Sequence, residues 1–312
     1  RDQRDECARV SADYLRAEHD RPFALMVHLI NPHDICYMAI RESQQTEDER
    51  KLVRRGGIGI ETLMKALERP DGVDEAAFLE TVCPPLPENF EPQEGEPRAI
   101  TSLVQRRPFR EKARLEWDAR TWRMHRWAYK RLTEFVDAQI GTVLDALDES
   151  GRSASTIVIF TSDHGDHDGA HRLEHKTTFY EEAARVPLIV AGPGIPRGVV
   201  DADHLVSNGL DLFPTICDYA GCASASDPRG RSLRPLLGDQ RTGEAPGWRD
   251  ELPIESEIGR CVVTRRYKYA EYDAEGGEWQ LVDLETDPGE MRNLIDDPHH
   301  ADALHECRGR FV

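Results

Sequence analysis

Long apolar runs are missing from this sequence of 312 residues. The longest, FALMVHLI (23–30) and TIVIF (156–160), fall well short of the about 18 residues that span a bilayer, so no transmembrane helix is expected. Positive charge is also in short supply: 40 Lys and Arg stand against 58 Asp and Glu, a net charge of −18. That balance argues against nucleic-acid binding, which needs a basic face. An anionic substrate would have to be held by a few local cations against the global field. Cysteine is sparse and unpatterned. The seven, at 7, 36, 83, 217, 222, 261 and 307, include no CxxC pair. An odd count at these spacings fits neither a zinc ribbon nor a small disulfide scaffold, so scattered buried thiols are expected. Internal repeats and long low-complexity tracts are absent. So is a signal peptide, and the chain opens on Arg1 rather than Met. The expectation is an N-terminally truncated portion of a longer protein.

What is present reads as a globular chain with room for two domains: 39% of residues are apolar and 31% charged. Residues 4–19 read as a polar-faced helix. PFALMVHLI (22–30) reads as a buried strand, continuous in apolar character as in a parallel sheet, and NPHD (31–34) as the turn after it. Residues 41–120, with a Gly pair at 56–57 and the run CPPLPENFEPQEGEP, read as an irregular surface excursion with short helices and much coil. Leu132, Phe135, Val136, Ile140, Val143, Leu144 and Leu147 form one helical stripe, stopped at Gly151. STIVIF (155–160) and RVPLIVAGPG (185–194) read as strands, and 208–221 as a helix with Gly221 just past its end. After about residue 245 the short runs LPIESE, RCVVTR, YKYAEYD and WQLVDL predict a small antiparallel sheet, and a helical tail closes the chain. The fold class expected is α/β: a mixed, mostly parallel sheet sandwiched by helices, with a small C-terminal antiparallel α+β subdomain. The domains expected are 1–245, with 41–120 as a variable insertion, and 246–312.

Ligands of open α/β sheets bind outside the carboxyl ends of the strands. Two polar loops satisfy that condition. TSDHGDHDGAHRLEHK (161–176) places Asp163 and His164 at a strand end, where a carboxylate and an imidazole make a plausible half of a metal site. His167, His171 and His175 recur every four residues, but Gly165 and Gly169 argue against a helix. The plainer reading is one pocket histidine and two solvated ones. Lys176, between this loop and a buried strand, reads either as a surface lysine or as a point charge for an anion. His33 in NPHD reads either as a turn histidine or as a general acid beside a substrate oxygen.

The order of these motifs resembles the sulfatases of the alkaline-phosphatase superfamily. The elements that carry it are Ser162 to Asp166, Gly169 to His171, Lys176, Tyr180 to Glu182 and Arg185 to Ile189. RPFALMVHLINPHD, the helix EFVDAQIGTVLDALDESG, VSNGLDLFPTICDYAG and the C-terminal LVDLETDPGEMRNL extend it, leaving only 41–120 without a counterpart. The resemblance implies hydrolysis of a small-molecule or saccharide sulfate ester. It implies Asp163 and His164 as ligands of one divalent metal, Ca2+ in this family, and Lys176 bridging the sulfate and the leaving oxygen. His33 would contact the sulfate or protonate the leaving group, and His171 would be on the substrate side. Export to a periplasmic, secreted or lysosomal compartment also fits the family.

The family's nucleophile is a formylglycine, made from Cys or Ser in a Cys/Ser-x-Pro/Ala-x-Arg motif. Here CPPLP (83–87) lacks the Arg, and CVVTR (261–265) has Val in place of Pro. The nucleophile and two further metal carboxylates are therefore expected upstream of this sequence, and the fragment alone is expected to be inactive. The alternatives are a phosphodiesterase or phosphonate monoester hydrolase of the same superfamily, or a catalytically inactive binding protein.

Overall fold

A computed structural model describes residues 3–223, 229–238 and 247–311. The chain divides into two compact units interleaved in sequence. One takes Arg1–Phe90, Val104–Ala154 and Asp168–His175; the other takes Glu91–Leu103, Ser155–His167 and Lys176–Val312. The boundary expected at 245/246 lies outside the described residues. No helix among the described residues is long and apolar enough to cross a membrane.

In the first unit, α1 (Gln3–Arg16) packs along the long helix Ala119–Glu149, and α2 (Cys36–Ser43) packs on α3 (Glu47–Ala66). The core joins Ile35, Met38 and Ile40 to Leu63, Phe109, Trp122 and Leu132. A bidentate ion pair ties Arg4 to the buried Asp34, with Nε–Oδ2 at 2.7 Å. Residues 41–120 are more regular than the composition suggests. Thr46 and Glu49 cap α3 reciprocally, each side chain bonded to the other's backbone N–H, so the polar run QQTEDERK starts a helix instead of a coil. The Gly pair does not stop it. Gly57 turns to a φ of 42° and kinks the helix, a conformation glycine adopts without steric cost.

Segment 22–30 takes no regular secondary structure and forms no ladder among the described residues. Leu25, Met26 and Ile30 are exposed there, at 37%, 72% and 45%. The apolar run reads as a doubly covered strand, but the residues here supply neither the pairing nor the cover.

In the second unit, β1 (Val158–Thr161) pairs with β2 (Leu188–Ala191), Val158 opposite Ala191. The pair is antiparallel, as the expected mixed sheet allows. The connection explains this. A parallel return needs a crossover element, usually a helix of some length, and between these strands lie only the 3-10 turn Ala170–Arg172 and the four-residue helix Glu181–Ala184. The helix Asn208–Ala220 begins under a Ser207 cap and ends as expected at Gly221, whose φ is 67°. Its buried Asp211 is clamped by both guanidinium nitrogens of Arg249, at 2.5 and 2.6 Å.

The C-terminal strands appear where the sequence places them. They are β3 (Glu251–Ser256), β4 (Gly259–Thr264), β5 (Tyr267–Tyr272) and β6 (Glu278–Asp283), an antiparallel meander in chain order. The final helix, Ala301–Gly309, follows. One face carries Val262, Tyr269 and Leu281 against Leu294 and Cys307. The opposite face is also buried, but it is polar. Lys268, only 1% exposed, donates to Glu290 Oε1 at 2.8 Å and to the Phe179 carbonyl at 2.8 Å. Gln93 links the Glu290 carbonyl to Gln280, each contact 2.7 Å, and Tyr272 donates to Gln280.

Burial disfavours the charge on Lys268, but Glu290 and Glu181 outweigh it and hold the ammonium well above its ordinary value. Burial pushes Glu290 up to about 7, against the pull of Lys268. A carboxyl raised in the folded state binds more protons there than in the unfolded chain, so it costs stability as pH rises toward that value. Unfolding of the chain by urea is therefore expected to become easier between about pH 5 and pH 7. Glu290→Gln should flatten this dependence. A slope unchanged in the variant would show that Glu290 does not set it.

Candidate active site

At the carboxyl end of β1 the backbone enters the loop that carries Asp163 and His164. The loop is pinned by its own polar groups. Ser162 Oγ donates to the His164 carbonyl at 2.8 Å, the His164 N–H donates to Asp163 Oδ1 at 3.0 Å, and Asn208 Nδ2 donates to the Ser162 carbonyl at 2.6 Å. Gly165 is dictated by space. A Cβ there would lie 1.9 Å from the Glu182 carbonyl oxygen, while the Gly165 N–H donates to Ala183 at 2.9 Å. Gly165→Ala should therefore shift the loop and destabilise the chain by about 1–3 kcal/mol, the usual cost of overpacking, measurable in denaturant.

The ring of His164 is oriented. Its Nδ1 lies 2.8 Å from the Gly165 carbonyl, which can only accept, so Nδ1 carries a proton and Nε2 is the nitrogen turned toward the loop's carboxylate. That Nε2 faces Asp163 Oδ2 at 3.4 Å. Burial raises the Asp163 pKa, but the neighbouring His164 and the backbone N–H groups outweigh it and hold the carboxyl below its ordinary value. A charged oxygen and the outward nitrogen of an oriented imidazole therefore meet at one exposed spot. This donor set fits a divalent cation, with a backbone carbonyl fixing the imidazole from behind, as metal ligands commonly have. It is only part of a shell. Among the described residues, no group of three or more His, Cys, Asp and Glu could hold a metal ion.

Lys176 lies in the same unit, half-buried, at the head of a segment that bonds back to this loop. Thr178 Oγ1 is 3.0 Å from His167 Nε2, in addition to the Gly165–Ala183 bond. His33 and His171 belong to the other unit. There His33 is exposed at the start of a 3-10 turn, His33–Ile35. His171 is fully buried at a φ of 54°, its N–H on the Asn89 carbonyl at 2.8 Å.

The histidine repeat is corrected on one point. His167, His171 and His175 are all buried, at 2%, 0% and 9%, so none is solvated. They lie on no common helix, since Gly169, His171, Arg172 and His175 all have positive φ. Buried imidazoles need polar partners, and Thr178 on His167 and Glu174 on His175 are two of them. Sequence reading missed Asn208, Ser162 and Gly165 as supports. Only Gly165 carried a signal, as a glycine directly after the ligand pair.

The seven thiols are free. Neither sequence context raised for a nucleophile precursor fits. Cys83 is buried with its Sγ 4.0 Å from Met124 Sδ, and burial drives the fully enclosed Cys261 thiol far above its ordinary value.

Comparison with known proteins points one way. The sulfatase family model matches residues 4–222, and the model for the C-terminal region of N-sulphoglucosamine sulphohydrolase matches 169–311. A Delta 4,5-hexuronate-2-O-sulfatase of Bacteroides thetaiotaomicron is 32% identical over 305 residues, 95% of this chain and 57% of that protein. The crystal structure of a putative sulfatase from the same organism superposes with a TM-score of 0.78 at 30% identity, covering 98% of this chain and 61% of that one. A phosphonate monoester hydrolase of Silicibacter pomeroyi gives 0.56 at 27% identity, over 78% of this chain and 52% of its own. The chain thus spans about 57% of the length of the hexuronate relative it matches.

Proposed function

The chain belongs to the sulfatase family, with its alkaline-phosphatase-like fold, and we propose that it carries part of the site that hydrolyses a sulfate ester of a saccharide. The observation that carries this reading is the pairing of Asp163 Oδ2 with the oriented Nε2 of His164 at the end of β1. Kinship to a hexuronate 2-O-sulfatase supports a sulfated, uronate-containing saccharide as substrate class. We take 1–245 as part of the catalytic domain, with 41–120 as its variable insertion, and 246–312 as its C-terminal subdomain.

The mechanism follows from charge. A sulfate monoester is an anion approaching a chain of net charge −18, so it needs a cation at close range. Lys176 supplies one as a point charge and stabilises the negative charge that grows on the leaving oxygen. By the family resemblance, His33, exposed at its turn, would donate a proton to that oxygen as the nucleophile expected upstream attacks sulfur and the S–O bond breaks, so the alcohol leaves neutral. Asp163 and His164 would hold the divalent cation, Ca2+ by family resemblance, which when bound neutralises charge on the sulfate oxygens as a Lewis acid. His171, fully buried in its unit, is assigned to the substrate side by the family resemblance alone.

The test is turnover by the full-length protein of an aryl sulfate against an aryl phosphonate monoester and an aryl phosphate diester. Preference for the sulfate is expected. Preference for either phosphorus ester would favour the second reading, a phosphonate monoester hydrolase or phosphodiesterase, which the Silicibacter pomeroyi neighbour supports.

A further inference from the structure

We propose that Ser256, Lys268 and Glu290 are positioning residues for Lys176, and that the C-terminal sheet fixes the backbone that presents this ammonium. The inference rests on the role given to Lys176 above. Thr177, the next residue, has a φ of +102°. A β-branched residue in that region is strained, and such a conformation persists only where its surroundings over-determine it. The surroundings here are three side chains from the C-terminal part of the chain. Ser256, at the end of β3, donates to the Thr177 carbonyl. Lys268 of β5 donates to the Phe179 carbonyl at 2.8 Å. Glu290 Oε2 accepts from the Glu181 N–H at 2.6 Å. Alternate residues 177, 179 and 181 are thus each held through the backbone from one side.

Thr178 and Ala183 of the same segment bond to His167 and Gly165 of the ligand loop. The segment is therefore a common wall, joined to the ligand loop through 178 and 183 and to the C-terminal sheet through 177, 179 and 181. The clamp is fully satisfied. The Lys268 ammonium has three N–H donors, and it meets the Phe179 carbonyl, Glu290 Oε1 at 2.8 Å and Glu181 Oε1 at 2.6 Å. The Glu290 carbonyl accepts from Gln93, which in turn accepts from Gln280. The surface uses of a lysine and a glutamate explain none of this. Both are 1% exposed, and the bonds they spend go to the segment that begins at Lys176.

The experiment is a double-mutant cycle in the full-length protein with an aryl sulfate. Ser256→Ala should lower kcat about 10-fold while the melting temperature holds, since small misplacements of a catalytic group are costly. Ser256→Thr, which keeps the hydroxyl, should restore it. On a Lys176→Ala background, Ser256→Ala should add nothing. An equal loss on both backgrounds would overturn the proposal, because Ser256 would then act independently of Lys176. Amide exchange across 177–183 is read in the same variants and should quicken in Ser256→Ala. Unchanged exchange together with unchanged kcat would also overturn the clamp. If Lys176→Ala alone leaves turnover intact while exchange still quickens, the clamp stands and the role of Lys176 is what fails. Lys268→Met strands the buried Glu290 carboxylate and is the harsher variant. Ser256→Ala leaves the Lys268–Glu290 pair intact and so decides the matter.

Discussion

Lys176→Ala is expected to lower kcat for a sulfate ester in the full-length protein by about 100- to 1,000-fold, the range measured when one donor to a developing oxyanion is removed. The fold should hold, because Lys176 is only half-buried and truncating such a side chain typically moves stability by less than about 0.5 kcal/mol. The chain's own charge makes the effect large. With 58 acidic against 40 basic side chains, the background field repels the substrate, and a single near cation has to reverse it. Lys176→Arg should recover little, since a planar fork does not replace a compact ammonium at a fixed point. Steady-state kinetics beside a thermal melt is the measurement. Turnover within about threefold of wild type would remove Lys176 from the mechanism.

Loss of divalent-cation affinity in Asp163→Asn and His164→Ala is the second large effect, at about 100-fold or more for each, since removing even an outer-shell partner costs 10- to 100-fold. Asp163→Asn keeps the acceptor of the His164 N–H bond and removes only the charge, so the loop should keep its shape. His164→Ala leaves a bond-free Gly165 carbonyl at an exposed position, where water replaces the imidazole. Isothermal titration of the full-length protein with Ca2+, and with Mn2+ as a competitor more tolerant of nitrogen, reads the effect. Titration also gives the pH sign. The Asp163 carboxyl sits below its ordinary value and stays charged in mildly acidic solution, so its protonation should cost no affinity between pH 7 and pH 5. Wild-type affinity in both variants would place the cation elsewhere.

Local signals were legible wherever short-range chemistry decides. The helix stop at Gly221 rests on one left-handed residue, and the meander β3–β6 rests on alternation between turns. The strand-end position of Asp163 and His164 follows from STIVIF running into a polar loop. The capping box of Thr46 and Glu49 is written in the sequence, but the polar run around it hides the helix it starts. Other features were not legible at all. Segment 22–30 has the composition of a covered strand, and only pairing decides whether it becomes one. The direction of β2 relative to β1 depends on how the chain returns, which composition does not encode.

By itself, then, the sequence determined the family and the chemical kinds of its site residues, because those follow from residue type and order along the chain. It also determined most element positions, since helix and strand periodicities are local. The tertiary structure decided which nitrogen of His164 faces Asp163, that all three histidines of the repeat are enclosed, and that Lys268 and Glu290 reach back to the segment behind Lys176. The contacts from β5 and Glu290 join residues about 90 to 110 positions apart. Their partners are backbone groups, which every residue carries, so no residue pattern could have announced them; only the packing of the sheet brings those carbonyl and N–H groups within reach of a buried charge.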